Sequence, residues 1–321
     1  MIVADVYSHL QDDITYVEHK LNAQLKCSQP LLQEAARHLL VAGGKRLRPV
    51  FVLLAGTLGT FDRERLCKVA VALELIHMAT LVHDDVIDHA ETRRGTPTVK
   101  SRFGNRMAMY TGDFIFAQAL DILSEVPDVR IHRILAHAIE RMVVGEIEQI
   151  RDLFSLRQSL RQYLKRIRRK TALLIEMSCT LGAIAVGASE QNVLALRRYG
   201  YCTGMAFQIK DDILDFTASP ERLGKPVGGD LRQGNITAPV LYALKNKTAA
   251  QRLAELISPE QTEMDLAEAI DLVKTSGGIE RAQSLAECYL EKAYSGLASL
   301  PDGDTRAALF SLADFIGQRE Y

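Results

Sequence analysis

The sequence predicts an all-α fold, because helical periodicity runs through it and strand patterns are hard to find. Apolar residues recur at three- and four-residue spacing along almost the whole chain, for example over Ile131–Val143, and this period is typical of helices with one buried face. Alternating apolar runs bounded by hairpin turns are rare, and the βαβ rhythm of a parallel sheet is missing. With 47% hydrophobic residues and no obvious linker, we expect one domain over residues 1–321.

The positions of the predicted helices follow from local composition. The segment Val69–His83 is apolar on most sides, which favours a central helix surrounded by others. The most apolar stretch, 171–188, carries Glu176, and we interpret it as a buried helix rather than a membrane span. The breaks between helices all contain glycine or proline, and they fall at 43–44, 95–97, 126–128 and 223–234.

Charge and cysteine content narrow the possible functions. Lys+Arg (39) and Asp+Glu (40) nearly cancel, so the chain lacks the overall positive field of a protein that binds nucleic acid by its phosphates. Any anion site must therefore be local. The cysteines are odd in number, widely spaced and without a CxxC pair, which indicates buried thiols and a reducing cytoplasm. They are Cys27, Cys67, Cys179, Cys202 and Cys288.

Two acidic clusters have the pattern DDxxD, and each directly follows an apolar segment. The first and last aspartates of this pattern lie on the same side of a helix, one turn apart. Like charges held together are costly unless a cation or proton neutralises them, and carboxylate oxygens suit Mg²⁺, whose other positions are filled by waters and substrate phosphates. One copy could be a solvated helix end, but two copies indicate a metal site. The predicted ligands are Asp84, Asp85, Asp88, Asp211, Asp212 and Asp215.

Basic residues near the predicted helix breaks at 43–44 and 95–97 are candidates for phosphate binding. Lys45 and Arg48 follow the diglycine 43–44 and would share a face if the segment is helical, although exposed charges at a helix start are the alternative. Arg93 and Arg94 offer guanidiniums suited to forked contacts with phosphate oxygens.

The basic run 165–170 (KRIRRK) is by default a solvated surface. Lys170 and Thr171 are the exception, because they lead directly into an apolar helix and could point inward. The glycine-rich stretch 223–234 is a plausible mobile phosphate cover, since glycine lets the backbone approach an anion closely.

Two further polar residues share a predicted helix with an acidic cluster. His77 lies two turns before Asp84, although an isolated histidine is more often a core residue. Gln208 precedes Asp211 by three residues and should share its face.

Together these motifs resemble the trans-isoprenyl diphosphate synthase family. GGKRLRP, HDDVIDHAETRRG, KTALL, FQIKDDILDF and GKPVGGDLRQG occur in family order and cover nearly the whole chain. The resemblance implies the isoprenoid-synthase fold, an orthogonal bundle of helices around a deep central cavity. It also implies Mg²⁺-dependent condensation of isopentenyl diphosphate onto an allylic primer such as farnesyl diphosphate, with three Mg²⁺ ions when substrate is bound.

The resemblance also assigns roles to individual residues. Mg²⁺ bridging the allylic diphosphate would be bound by Asp84, Asp88 and Asp211, with the other three aspartates as further or outer ligands. Isopentenyl diphosphate would be held by Lys45, Arg48, His77 and Arg94. The allylic substrate would contact Arg93, Lys170, Thr171, Gln208 and Lys225. The predicted catalytic residues, which face the developing allylic cation, are Lys170, Thr171 and Gln208.

Product length is predicted from the positions just before the first acidic cluster. In short-chain family members an aromatic residue blocks the fifth or fourth position before the motif, whereas this chain has Ala79 and Thr80 there. We therefore expect a product longer than geranylgeranyl, of six to eight isoprene units, with Ile76 or a residue on a neighbouring helix as the deeper floor.

Within the family the chain is most similar to the catalytic component of two-component members that make heptaprenyl diphosphate. In those enzymes a small subunit without aspartate motifs completes the product tunnel. The expected assembly is therefore a heterodimer, with a homodimer as the alternative, and the expected product serves a respiratory quinone such as menaquinone. Peripheral membrane contact for product release is open. The chain departs from the pattern GKxxGxDxxxGK at Asn235, where the family has a second lysine.

Two other functions fit part of the pattern. A terpene cyclase also ionises allylic diphosphates, but it does not need an isopentenyl site at Lys45 and Arg48, and it commonly replaces the second DDxxD. A non-catalytic subunit of a heteromeric synthase would not need intact aspartates. Incorporation of isopentenyl diphosphate distinguishes these cases.

Overall fold

The computed structural model describes residues 3–93, 95–218 and 227–319, and these are helical almost throughout. The predicted all-α class is confirmed. Within these ranges the strands are β1 (Thr92–Arg93) and β2 (Thr96–Pro97), which form one antiparallel hairpin. The helices are α1 Val3–His9, α2 Gln11–Gln24, α3 Pro30–Val41, α4 Leu47–Gly56, α5 Arg63–Ile87, α6 Val99–Phe103, α7 Asn105–Ser124, α8 Val129–Arg151, α9 Leu160–Ile167, a π-helix Arg168–Ala172, α10 Leu173–Ala185, α11 Glu190–Thr217, α12 Gly229–Arg232, α13 Ala238–Ala243, α14 Lys247–Leu256, α15 Glu263–Thr275, α16 Gly278–Leu297 and α17 Asp304–Gly317.

The chain forms two compact units. Unit 1 consists of Met1–Ala136, Leu174–Arg197 and Ser299–Ser311. Unit 2 consists of His137–Leu173, Arg198–Ala298 and Leu312–Tyr321. The single domain over residues 1–321 stays a prediction.

Helix α5 forms the core of unit 1 and packs against α2, α4 and α7. It begins after Asp62, whose carboxylate accepts a hydrogen bond from the Arg65 backbone N–H at 3.0 Å and so caps the first turn. Its length and composition would allow it to cross a membrane, but 72% of its most apolar window is buried within the protein. This burial matches the central helix predicted over Val69–His83.

Close packing in unit 1 also depends on a glycine in α7. A Cβ added at Gly112 would lie 2.2 Å from Nε2 of His83 on α5. The absence of a Cβ at Gly112 therefore leaves room for the imidazole ring of His83 at this point.

The predicted breaks agree with the helix ends. Helix α3 ends at Val41 before the diglycine, the β-hairpin turns at Gly95, and α7 ends at Ser124 before Pro127. The stretch 223–234 lies partly outside the described residues, which resume at Val227 and lead into α12.

Candidate active site

The first acidic cluster lies at the C-terminal end of α5 in unit 1. Asp84 and Asp85 belong to its last turn, and Asp88 is the C-cap. The backbone N–H of Asp88 donates to the carbonyl of Asp84 at 2.7 Å, so the two residues stand one turn apart, as the spacing predicts. Both are half-buried, whereas Asp85 between them is 1% exposed.

Asp85 is held by an arginine from the hairpin that follows α5. Its Oδ1 accepts a hydrogen bond from Nε of Arg93 at 2.8 Å and lies 2.7 Å from Nη2. Burial raises the pKa of Asp85, and the Arg93 guanidinium acts in the opposite direction. Arg93, predicted as a phosphate ligand, is therefore the ion-pair partner of Asp85 in this structure. Its neighbour Arg94, predicted to hold isopentenyl diphosphate, lies outside the described residues.

The GGKRLRP motif does not start as a helix. Helix α4 begins at Leu47, after Arg46 in a left-handed conformation with φ 46°, so Lys45 precedes the helix and the helical face expected for Lys45 and Arg48 does not form. Lys45 is exposed and Arg48 is half-buried. Arg46 is buried and pairs with Glu74 of α5 at 3.0 Å.

The loop that carries Lys45 is also tied to the N-terminal helix. The hydroxyl of Tyr7 donates to the carbonyl of Lys45 at 2.5 Å. Burial, followed by the charge of Glu74, raises the pKa of Tyr7 to about 12, so this phenol remains a donor at neutral pH.

The predicted chain-length residues lie on one face of α5, one to two turns before the acidic cluster. Ile76 and Ala79 are buried in unit 1. Thr80 is half-buried, and its hydroxyl donates to the carbonyl of His77 at 2.8 Å, which satisfies this polar group inside the helix. His77 itself is half-buried. The role of these residues in product length stays a prediction.

The second acidic cluster lies near the end of α11 in unit 2, and its first member is paired with the C-terminal segment. Asp211 is half-buried, and its Oδ1 accepts a hydrogen bond from Nη1 of Arg319 at 2.8 Å. The guanidinium of Arg319 also lies 4.5 Å from the centroid of the Phe207 ring, a distance typical of a cation–π contact.

Asp212 is buried and accepts two hydrogen bonds from neutral donors. Tyr163 of α9 donates its hydroxyl to Oδ2 at 2.6 Å, and Nε2 of Gln208 donates to Oδ1 at 2.8 Å. Burial, followed by the nearby charge of Asp230, raises the pKa of Asp212 to about 8, while the two donors act in the opposite direction. Gln208 in turn accepts a hydrogen bond at Oε1 from the hydroxyl of Thr171 at 2.5 Å.

Asp215 binds the described part of the glycine-rich stretch 223–234. Its Oδ2 accepts a hydrogen bond from the Asp230 backbone N–H at 3.0 Å, and its carbonyl accepts one from Gly228 at 2.8 Å. The predicted cover is thus anchored at its C-terminal side. Asn235 donates its backbone N–H to the carbonyl of Asp230 at 2.8 Å, and Lys225 lies outside the described residues.

The predicted catalytic pair Lys170 and Thr171 lies in a π-helix. Such segments are rare and occur frequently at functional sites. Nζ of Lys170 lies 3.1 Å from Oε2 of Glu146. Directly after the pair, Ala172 packs against α11, where a Cβ added at Gly204 would lie 2.6 Å from the Ala172 Cα.

The expectation that most of the basic run 165–170 is solvated is wrong for Arg166. This side chain is 5% exposed and donates to Oε1 of Gln158 and to the carbonyl of Ile236, both at 2.7 Å. Its hydrogen bonds satisfy a charge that burial would otherwise disfavour.

The acidic clusters suit a metal ion that binds together with a diphosphate substrate. In residues 3–93, 95–218 and 227–319, no three His, Cys, Asp or Glu side chains form a ready-made metal site. Mg²⁺ usually takes one or two carboxylates and completes its shell with water and phosphate oxygens. The half-buried carboxylates of Asp84, Asp88 and Asp211 suit that use. Asp85 adds a buried Oδ2 that accepts no hydrogen bond from the described residues.

Sequence reasoning did not identify Tyr163 and Arg319. Tyr163 is 49 residues from its partner Asp212, and Arg319 is 108 residues from Asp211. No local motif marks either residue, so only the tertiary structure connects them to the acidic cluster.

The helical fold and the two acidic clusters define the class of protein, a trans-prenyltransferase. The model of the Polyprenyl synthetase family matches residues 29–273, and the chain belongs to this family. Heptaprenyl diphosphate synthase component 2 of Bacillus subtilis (strain 168) is 52% identical over 315 residues, 98% of this chain and 90% of that protein.

Solved structures agree with this assignment. A heptaprenyl diphosphate synthase from Staphylococcus aureus matches with a TM-score of 0.94 at 39% identity, covering 97% of this chain and 99% of that chain. A polyprenyl synthase from Caulobacter crescentus CB15, complexed with calcium and isoprenyl diphosphate, matches with a TM-score of 0.94 at 35% identity, covering 99% and 98%. The predicted isoprenoid-synthase type of all-α fold is thereby confirmed.

Removal of the Arg93 guanidinium should make stability depend more strongly on pH. The pKa of Asp85 is raised in the folded state, and loss of its counter-charge in Arg93→Gln raises it further. Folding is then penalised most above the folded pKa, where Asp85 must be ionised, and least in acid, where it is protonated. We expect a loss in the free energy of unfolding of about 1–3 kcal/mol near neutral pH, shrinking at about pH 4.

Urea unfolding without added Mg²⁺ measures this difference. Arg130→Gln is the matched control, because it removes an exposed pair with Asp128 and should change stability little. An equal deficit for Arg93→Gln at both pH values would contradict the assignment.

Proposed function

We propose that this chain is the catalytic component of a polyprenyl diphosphate synthase that condenses isopentenyl diphosphate with a farnesyl-type primer. The product is an all-trans polyprenyl diphosphate of heptaprenyl length for a respiratory quinone side chain. The observation that carries the proposal is the pair of complete DDxxD clusters in a chain 52% identical to a heptaprenyl diphosphate synthase component 2.

The acidic clusters hold Mg²⁺ through Asp84, Asp88 and Asp211, with three ions when substrate is bound. Bound Mg²⁺ neutralises the charge that develops on the departing diphosphate. Lys45, Arg48 and His77, together with Arg94, bind isopentenyl diphosphate. The cationic side chains of Lys45, Arg48 and Arg94 counter the diphosphate charge, and His77 helps to fix its position relative to the primer.

The allylic cation is steadied by oxygen dipoles. Thr171 and Gln208 supply a hydroxyl and a carboxamide, and Lys170, Arg93 and Lys225 bind the diphosphate of the primer. Fixed dipoles stabilise a developing charge without reorganisation at the moment of reaction. Attack by the isopentenyl double bond and loss of a proton to the released diphosphate complete one cycle.

A small non-catalytic subunit is the proposed partner, and α8 offers a surface for it in unit 2. Four large apolar side chains of this helix are exposed, at Val143, Val144, Ile147 and Ile150. Exposed apolar groups collected on one helix are typical of a protein interface. The name component 2 of the Bacillus relative supports a second protein as its occupant. We place the assembly in the cytoplasm, with peripheral membrane contact for product release.

Product analysis tests the reaction directly. The purified chain with its partner, Mg²⁺, isopentenyl diphosphate and farnesyl diphosphate should give heptaprenyl diphosphate. Asp84→Ala should lower the rate by about 100-fold or more, because a charge-stabilising group is lost, whereas the exposed-site variant Asp271→Asn should match the parent. No incorporation of isopentenyl diphosphate by the parent would refute the proposal, and a cyclised primer would support a terpene cyclase.

A bulky residue at Ala79 should shorten the product. Ala79 is buried on α5, and the aromatic ring in Ala79→Phe would fill space that the growing chain needs. Chromatography should show shorter polyprenols for Ala79→Phe and intermediate ones for Ala79→Val. An unchanged product from a folded Ala79→Phe variant, verified by circular dichroism, would remove this residue from length control.

A charge on α8 should weaken association with the small subunit. Ile147→Lys places an ammonium in the exposed apolar surface and should raise the dissociation constant about tenfold or more. Met264→Lys, at an apolar and exposed position on α15, is the control for adding a charge elsewhere on the surface. Parent-like binding by Ile147→Lys, or a homodimer formed through this surface, would refute the assigned occupant.

A further inference from the structure

We propose that Tyr163 is a positioning residue that orients the Thr171 hydroxyl through Asp212 and Gln208. This inference rests on the proposed function, because it concerns how the cation-facing groups are held. It adds a role for Tyr163, which lies outside the sequence motifs and would act without contacting substrate.

The geometry defines a continuous chain of hydrogen bonds within unit 2. The Tyr163 hydroxyl donates to Oδ2 of Asp212, and Oδ1 of the same carboxylate accepts from Nε2 of Gln208. Oε1 of Gln208 then accepts from the hydroxyl of Thr171. Every link is between 2.5 and 2.8 Å.

The direction of the chain follows from its first two members. Both carboxyl oxygens of Asp212 act as acceptors, Oδ2 from Tyr163 and Oδ1 from Nε2 of Gln208, so the NH₂ group of Gln208 faces Asp212. The carboxamide oxygen is then the atom left for Thr171, and the Thr171 hydroxyl must donate its proton there. A hydroxyl whose proton is committed in this way offers only lone pairs to a neighbouring group. Lone pairs are what an adjacent carbocation needs.

Burial makes the arrangement rigid. Tyr163 is fully buried and Asp212 is 2% exposed, so water cannot easily replace a missing donor. An unsatisfied buried acceptor is costly, and loss of the Tyr163 hydroxyl would leave Asp212 free to rotate toward another donor. Gln208 would then lose its fixed partner.

One face of helix α11 contacts both α9 and the π-helix, which carry Tyr163 and Thr171. Gly204, Gln208 and Asp212 occur at four-residue intervals on α11, and such residues share one helix face. This face meets Ala172 at Gly204, Thr171 at Gln208 and Tyr163 at Asp212. The π-helix Arg168–Ala172 follows Tyr163 and contains Thr171, and it changes which side chains face α11, because a π turn adds a residue to the helix.

Kinetics of Tyr163→Phe test the role. We expect kcat to fall about 10- to 100-fold, as for a misplaced catalytic group, with both KM values and the Mg²⁺ concentration for half-maximal rate within about twofold of the parent. Tyr294→Phe is the matched control, because it also removes a tyrosine hydroxyl that bonds an aspartate, Asp314 at 2.5 Å. It should leave kcat unchanged.

A double-mutant cycle with Thr171→Val separates positioning from general structural damage. If Tyr163 acts through Thr171, Tyr163→Phe should change kcat little in the Thr171→Val background, and Thr171→Ser should retain the full effect of Tyr163→Phe. Independent effects that multiply, or a raised Mg²⁺ requirement, would overturn the proposal. If Tyr163→Phe does not fold, Gln208→Met removes the middle link and enters the same cycle.

Different results would refute the proposed function and the positioning role of Tyr163. A parent enzyme that does not incorporate isopentenyl diphosphate would refute the proposed function. An active parent with multiplicative effects in the cycle would refute only the positioning role of Tyr163.

Discussion

The burial of carboxylates in both acidic clusters, Asp85 in the first and Asp212 and Asp215 in the second, constrains the elements around them. A carboxylate inside a helical protein must be given partners, because its desolvation is not otherwise offset. Asp85 receives a guanidinium from the hairpin after α5, and Asp212 receives a phenol and a carboxamide. The hairpin after α5, the position of α9 and the side-chain conformation of Gln208 therefore all depend on hydrogen bonds to Asp85 or Asp212.

The two clusters have identical spacing, but their buried aspartates lie in different environments. In the first cluster a formal cation balances the buried charge of Asp85. In the second the balance comes from neutral donors, which leaves the pKa of Asp212 raised to about 8, while Asp215 caps the backbone of α12. The repeated motif thus determines the positions of the carboxylates on the helix, and the surrounding elements determine the partners of each carboxylate.

The helices and acidic clusters were predictable because their signals are local. Apolar periodicity marks α5, and DDxxD places two carboxylates on one turn regardless of tertiary context. The partners of the buried aspartates were not predictable: Tyr163 looks like an ordinary member of a polar segment, and Arg93 was predicted as a phosphate ligand rather than as the ion-pair partner of Asp85. Arg46 illustrates the same limit, because its left-handed backbone and its buried pair with Glu74 of α5 depend on a helix 28 residues further along the chain.

Exposure separates the aspartates that can exchange partners from those that cannot. Asp211 is 36% exposed and its partner Arg319 is 16% exposed, so solvent screening weakens this pair, and a metal ion with a diphosphate can replace the arginine there at less cost than at a fully buried site. Asp85, Asp212 and Asp215 are almost fully buried, and breaking their contacts would leave unsatisfied polar groups inside the protein. Each cluster can therefore change partners at its half-buried members while its buried members keep the helix end in place.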